Sequence, residues 1–213
     1  MCKEKQIRRT KRKEKQEKKK REEKYQVHSE IKELRGGDKH VKAMIFYYKR
    51  DADQGYAPAQ NNLGDCYENG IGVAKDEEEA ARLYKLAADQ GDADAQCNLG
   101  YCYQHGTGVT KDEKEAVRLY KLAADQGYAD AQYRLGFCYL GGTGGVTKDK
   151  KEAARLYKLA ADRCYAPAQY CVGDCYENGI GVDKDEEDAV HYYQLAADQD
   201  DEFAQNALRR MGI

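Results

Sequence analysis

An Ala-Gln pair recurs five times along this chain, at Ala59-Gln60, Ala95-Gln96, Ala131-Gln132, Ala168-Gln169 and Ala204-Gln205. The steps between pairs are 36, 36, 37 and 36 residues, and most of the intervening positions repeat as well. A period of this length marks a stack of helical units, none of which buries its own apolar face unaided. In such a chain function is expected on a long surface with a varying lining, and not in a single pocket.

Aligning the units on the Ala-Gln pair predicts a two-helix hairpin. The first helix spans roughly 58–68, with Ala59, Leu63 and Tyr67 at i, i+4 and i+8 on one face. Gly64, with its equivalents Gly100, Gly136 and Gly173, sits beside Leu63. A mid-helix glycine costs about 1 kcal/mol relative to Ala, so its recurrence predicts the close approach of another helix backbone. Gly70 is placed to end the helix in the left-handed conformation, and Gly72 to allow a second bend. Asp76 reads as an N-cap with Glu79 completing a capping box; Asp112/Glu115 and Asp149/Glu152 repeat it, and Asp185/Asp188 is a shorter variant. The second helix follows, with Ala80, Leu83, Tyr84, Ala87 and Ala88 as its apolar face, and Gly91 or Gly127 closes it. Cys164 and Asp200 replace that closing glycine, so those two corners are expected to differ in shape.

The pattern Ala-x-Ala-Gln-x-x-Leu-Gly-x-x-Tyr-x-x-Gly-x-Gly-Val-x-x-Asp, followed by Ala-x-x-x-Tyr-x-x-Ala-Ala, stands almost unaltered at Ala93–Ala124. It resembles the Sel-one-like repeat, a relative of the tetratricopeptide repeat, and the resemblance covers about residues 40–213. It implies an all-α, right-handed solenoid of stacked antiparallel helix pairs, used as a protein-interaction adaptor. Gly145 lies in an expanded loop, Gly141–Val146, which accounts for the step of 37. Asp65–Val73 and Asp174–Val182 are identical, as a duplication within the array would leave them.

The expected organisation is a basic arm over 1–24, a degenerate capping repeat over 25–55, four repeats (about 56–91, 92–127, 128–164 and 165–201) and a closing helix over 202–213. Residues 1–35 hold fifteen Lys/Arg against seven Asp/Glu, while the whole chain carries a net charge of −2. The arm's basic residues include Arg8, Arg9, Lys11, Arg12, Lys13, Lys18, Lys19, Lys20 and Arg21. With almost no apolar side chains the arm is expected to be solvated and largely disordered. Its other readings are a nuclear-import or nucleic-acid-contacting segment, since clustered Lys/Arg attract phosphate, and a segment folding back on the acidic array. At the far end, Arg209 and Arg210 suit the C-terminal dipole of the closing helix.

No stretch approaches the roughly 18 apolar residues of a membrane helix, and the longest apolar run is Ala43 to Tyr48. No apolar segment follows the basic N-terminus, and Glu4, Glu14 and Glu17 argue against an acid-poor mitochondrial leader. A cytoplasmic or nuclear protein with no membrane partner is expected. Of the eight cysteines, Cys66, Cys102, Cys138 and Cys175 occupy one equivalent position. Helices pack about 8–10 Å apart, beyond the Cα spacing of about 4.4–6.8 Å that a disulfide needs. These four are therefore read as small buried thiols in a reducing compartment.

Cys164, Cys171 and Cys175 with His191 suggest a zinc or redox site, but the spacing matches no paired Cys-x-x-Cys knuckle, and packing explains Cys175. None of His28, His40, His105 and His191 recurs beside an acid or a nucleophile. The Gly-x-Gly-Val pairs recur in every unit as turn punctuation, so they do not mark a phosphate loop. No catalysis, cofactor or metal is expected.

The variable face of the first helix reads Asn61/Asn62/Asp65/Asn69, then Cys97/Asn98/Tyr101/His105, then Tyr133/Arg134/Phe137, then Tyr170/Cys171/Asp174/Asn178. Equivalent positions line up along a groove, and aromatic and Arg side chains are the usual anchors of an interface. The expected contact residues are Asn62, Asp65, Asn98, Tyr101, His105, Tyr133, Arg134, Phe137, Tyr170 and Asp174, with Tyr101, Tyr133, Arg134 and Phe137 foremost. The partner is a protein or peptide, or in a second reading nucleic acid reached through the arm. Analogy with other members of the repeat family adds a component of an ER quality-control complex.

Overall fold

A computed structural model describes residues 37–213. The basic arm and residues 25–36 of the expected cap lie outside the described residues. Among those described, ten helices and no strand are present: α1 (Gly37–Ala52), α2 (Ala57–Asn69), α3 (Glu77–Ala88), α4 (Ala93–His105), α5 (Glu113–Asp125), α6 (Ala129–Gly141), α7 (Lys150–Ala161), α8 (Ala166–Asn178), α9 (Glu186–Ala197) and α10 (Glu202–Met211). Each helix packs on the next in the chain, most extensively within the pairs α2–α3, α4–α5, α6–α7 and α8–α9. The result is an α-solenoid of sequentially stacked helix pairs.

The apolar face inferred from the repeat is the core. Leu63, Leu99, Leu135 and Val172 are buried, as are the free thiols of Cys66, Cys102, Cys138 and Cys175. One core cluster joins Ala80, Tyr84 and Ala87 of α3 to Ala95, Leu99 and Cys102 of α4 and Leu119 of α5, so the apolar layer runs across the boundary between units.

The recurrent mid-helix glycine marks a close approach, as expected, and a side chain makes the nearest contact. A Cβ at Gly64 would lie 2.6 Å from Cε1 of Tyr84, and at Gly100, Gly136 and Gly173 it would lie 2.7, 2.5 and 2.6 Å from the rings of Tyr120, Tyr157 and Tyr193. A tyrosine ring fills most of the space, and at Gly100 and Gly173 the facing helix backbone also comes close, with Ala116 O and Ala189 O at 3.3 and 3.1 Å from that Cβ position. Those four rings are the largest fully buried side chains of the described residues, so each hairpin is closed by a ring seated on a bare glycine.

The helix starts also depart in part from expectation. Asp76 caps α3 by accepting from the Glu79 amide at 3.0 Å. The reciprocal half of the capping box does not form: Glu79 instead binds Arg82 through both oxygens, at 2.7 and 2.6 Å, and Glu115–Arg118 and Glu152–Arg155 do likewise. The Asp76 amide is already bonded to the Tyr67 carbonyl at 2.9 Å, which leaves the glutamate nothing to cap. That same bond recurs from Asp112 to Tyr103, Asp149 to Tyr139 and Asp185 to Tyr176. The inserted Gly145 therefore bulges within its loop without shifting the frame.

The corners at Cys164 and Asp200 keep the common shape, contrary to expectation. Both residues adopt a left-handed backbone, with φ of 59° and 64°, where Gly55, Gly91 and Gly127 have 86°, 91° and 82°. Their amides bond Ala161 and Ala197 as the Gly91 amide bonds Ala88. Packing of the next helix holds the corner, and the side chain bears the strain, which is about 1–2 kcal/mol for an ordinary L-residue. Cys164→Gly should therefore raise stability by about 0.5–1 kcal/mol in urea unfolding, with a smaller gain for Asp200→Gly because Asp tolerates this region better. A stability equal to or below that of the parent would refute the strain. Gly100→Ala, which drives a methyl into the Tyr120 ring, should lose about 1–3 kcal/mol.

Candidate interaction face and family

The first helices α2, α4, α6 and α8 present one continuous face whose register is set by contacts between units. In the second and third units the second residue after the Ala-Gln pair reaches the preceding unit. Asn98 donates to Asn61 Oδ1 at 3.1 Å and to Asp65 Oδ1 at 3.4 Å. One unit on, the Arg134 guanidinium lies 5.0 Å from the centre of the Tyr101 ring. It also donates to Asp130 at 2.8 Å, and although burial works against its charge, that carboxylate raises its pKa. Tyr101 in turn stacks on His105 at 4.2 Å.

The C-terminal half of the face is aromatic. Tyr133 packs edge-on to Phe137 at 4.9 Å and to Tyr165 at 5.5 Å. Tyr170 lies 5.8 Å from Phe203. Phe137 is 45% and Phe203 70% exposed, which is unusual for rings of this size. Burial pushes the Tyr133 hydroxyl up to about 12, so it stays a neutral donor at physiological pH. Asp174 is half-buried and holds Asn178 at 2.8 Å, while Asn62 is half-buried and His105 exposed.

Two residues placed on this face from the sequence do not belong to it. Asn61 and Cys97 are 3% and 1% exposed and are packed between units. Burial, reinforced by Asp130, raises the Cys97 thiol, whose sulfur lies 3.4 Å from that carboxylate. Cys171 and Cys175 are likewise pushed up to about 12, chiefly by burial, which disfavours the thiolate that metal binding or redox chemistry requires. Among the described residues no group of three His, Cys, Asp or Glu converges on a metal position.

Several contributors were missed. Asp94 and Asp130, just ahead of the Ala-Gln pair, accept from the hydroxyls of Tyr128 at 2.6 Å and Tyr165 at 2.8 Å in the next corner. A Tyr 34 or 35 residues downstream of an Asp, just short of one period, was the available signal. Phe203 holds the same position in α10. Arg210 does not serve only the helix dipole: it binds Glu177 of α8 at 2.6 Å and fastens the closing helix.

The buried tyrosines also open onto this face. Tyr120 donates to Gln104 at 2.7 Å and Tyr193 to Glu177 at 2.7 Å. Tyr84 lies 2.7 Å from Asp65 and 2.8 Å from Glu68, with one hydrogen to share between two carboxyl groups. Desolvation, and then the nearby charges of Asp94 and Glu68, raise the Asp65 carboxyl above its usual range despite the Tyr84 bond.

A chain of stacked helix pairs whose outward side chains vary from unit to unit is a helical-repeat protein. It belongs to the Sel1 repeat family, whose sequence model matches residues 57–92, 93–128, 129–163 and 166–201. Proteins of this family are generally protein-interaction scaffolds. The fold resembles that of a protective antigen present in uropathogenic Escherichia coli strains, which displays an SLR fold. The identity is 34% over 78% of this chain and 35% of that one, with a TM-score of 0.70. It also resembles a Sel1 repeat protein from Oxalobacter formigenes, 41% identical over 71% of this chain and 60% of that one, with a TM-score of 0.66. The chain thus spans less than two thirds of the length of either. No curated protein matches it. Among the described residues no helix is long and apolar enough to cross a membrane.

The Asp65 environment sets a pH dependence. A carboxyl whose pKa is raised on folding contributes stability that is full below the ordinary carboxylate value and is lost as pH rises through the folded value. Asp65→Asn keeps an acceptor for Tyr84 but cannot ionise. It should melt above the parent at pH 7 and show no such advantage at pH 3; an equal difference at both pH values would show that charge plays no part.

Proposed function

We propose that this protein is a non-catalytic adaptor that holds an extended peptide or helical segment of a protein partner along the first-helix face. The observation that supports this reading is the graded lining of that face. Asp65, Asn98 and Asp94 offer acceptors and donors at one end, Tyr101 and Arg134 form a cation–π step in the middle, and Phe137, Tyr133, Tyr170 and Phe203 form an aromatic patch at the other. A linear partner with donor side chains at one end and apolar side chains at the other matches that gradient in a single orientation. Exposed aromatic rings and a half-buried Arg are the residue types that carry most of the affinity at protein interfaces. Five buried free thiols, of Cys66, Cys97, Cys102, Cys138 and Cys175, support a reducing, intracellular location.

The face is tested with peptides selected from a random library on the immobilised full-length protein. Phe137→Ala and Phe203→Ala should each weaken the selected peptides by about tenfold, equivalent to about 1.4 kcal/mol, with a melting temperature within about 2 °C of the parent. Both rings are substantially exposed, so their removal leaves the core intact. Selected peptides that bind both variants as tightly as the parent would place the interaction elsewhere.

A further inference from the structure

A second feature of the array lies outside the first-helix face. The Ala-Gln glutamines of the four repeats, Gln60, Gln96, Gln132 and Gln169, are buried, and three of them make the same pair of bonds. In all four, Nε2 donates to the alanine carbonyl that ends the preceding second helix: Ala52, Ala88, Ala124 or Ala161, at 3.2, 3.3, 3.2 and 3.4 Å. In three, Oε1 accepts from a glutamine thirty residues on: Gln90 to Gln60 at 2.7 Å, Gln126 to Gln96 at 2.9 Å and Gln199 to Gln169 at 2.7 Å. In the third unit that partner is Arg163. Gln132 is 4% exposed, and its Oε1 has no partner. Arg163 is exposed, lies against Gly127 and pairs with no described residue.

The orphaned acceptor and the unpaired cation border one cleft of about 510 Å³, between α5 and α7 over the floor of α6. Its lining is mostly polar, with a smaller apolar contribution from Leu135, Leu156 and Leu159. Of the other charged groups that line it, Arg155 is held by Glu152, the Lys121 ammonium sits 5.7 Å from the Tyr139 ring centre, and Asp125 is exposed at the rim. The helical spacing places Gln132, Leu135 and Tyr139 on the side of α6 opposite Tyr133, Arg134 and Phe137, so this cleft and the aromatic patch are separate.

We propose that the cleft is a binding site for an acidic residue of a peptide, its carboxylate paired with Arg163 and its backbone N–H donated to Gln132 Oε1. A guanidinium receives a carboxylate through two parallel bonds. Arg163 stands at the repeat position of the missing donor, and binding requires its side chain to turn toward the ligand's carboxylate and uncover the buried Oε1. The ligand thereby supplies, in this one unit, the donor that glutamine supplies in the other three. The exposed side chain of Leu159 receives the ligand's aliphatic carbons.

The test uses the full-length ¹⁵N-labelled protein and the blocked peptides Ac-Ala-Asp-Ala-NH2 and Ac-Ala-Asn-Ala-NH2. The Asp peptide should shift both the Gln132 side-chain amide and Arg163 Nε–H, with a Kd of about 1 mM, the strength of one small contact. The Asn peptide and acetate alone should not shift both. Arg163→Gln, which restores the glutamine pair, should weaken the Asp peptide at least tenfold while melting no lower than the parent. The proposal is overturned if the Asp peptide leaves both signals in place, if the Asn peptide or acetate shifts them equally, or if Arg163→Gln retains the binding. Phe137→Ala should leave these shifts unchanged, so failure of this site and failure of the aromatic face are read separately.

Discussion

The contact on which the array rests is a tyrosine ring laid on a glycine of the facing helix. Four times, the second helix inserts a ring into the space that a missing Cβ leaves on the first. The exchange favours the fold because a buried aromatic contributes far more through contact than the glycine forfeits in helix propensity. The same contact fixes how close the two helices lie and their rotational setting. It also carries the tyrosine hydroxyl through the hairpin to the first-helix face, where it meets Asp65 and Glu68, Gln104 or Glu177. The core thus decides which positions of the first helix face outward, and two of those positions receive a hydroxyl from below.

Local preferences yield to this frame wherever they conflict with it. Cys164 and Asp200 are driven into a left-handed backbone so that the next hairpin can dock, and the extra Gly145 is absorbed in a loop whose far end still bonds the Tyr139 carbonyl. The loop glycines serve the stacking too: a Cβ at Gly108 or Gly181 would strike the backbone at the start of the preceding second helix, at Glu77 and Lys150. A glycine in this loop therefore answers a need for contact between units as well as for a bend. In a quasi-one-dimensional stack each unit touches only its neighbours, so every inter-unit contact is repeated and any local misfit propagates along the array.

The fold was legible because both its signals are periodic. The Ala-Gln spacing gives the unit, and the apolar 3.6-residue pattern gives the buried face, which Leu63, Leu99, Leu135 and Val172 occupy. Sequence pattern identified where close approach occurs but not what approaches: Gly64 and Tyr84 are twenty residues apart, and nothing local to either names the other. The capping box failed for a related reason, because the Asp76 amide is claimed by a loop bond that only the folded hairpin creates. On the interaction face, Tyr101, Arg134 and Phe137 could be read from their departure from the repeat. Asn61 and Cys97 could not be told from them, since one helical step separates an outward position from an inter-unit one. Asp94, Asp130 and Phe203 were overlooked because their partners lie in the neighbouring unit.

The third unit, α6 and α7, holds both of the unpartnered buried polar side-chain atoms among the described residues, Gln132 Oε1 and the Tyr157 hydroxyl. Each has a bonded counterpart in the other units, and each lost its partner through a change elsewhere in the unit. Arg163 replaces the glutamine, and Leu140 with Phe137 replaces the acid or amide that the other tyrosines reach. A buried polar group left unpaired costs about 1–3 kcal/mol, so this unit is expected to be the weakest link of a stack that is otherwise uniform. The same replacements expose Phe137 on one side and leave Arg163 without a partner among the described residues on the other. Stability and surface chemistry are therefore coupled here through single positions: restoring the repeat residue at 140 or 163 would satisfy the interior and at the same time erase what distinguishes this unit's surface. Departures that weaken a fold locally are expected where a protein binds something, and in this array both of them converge on α6.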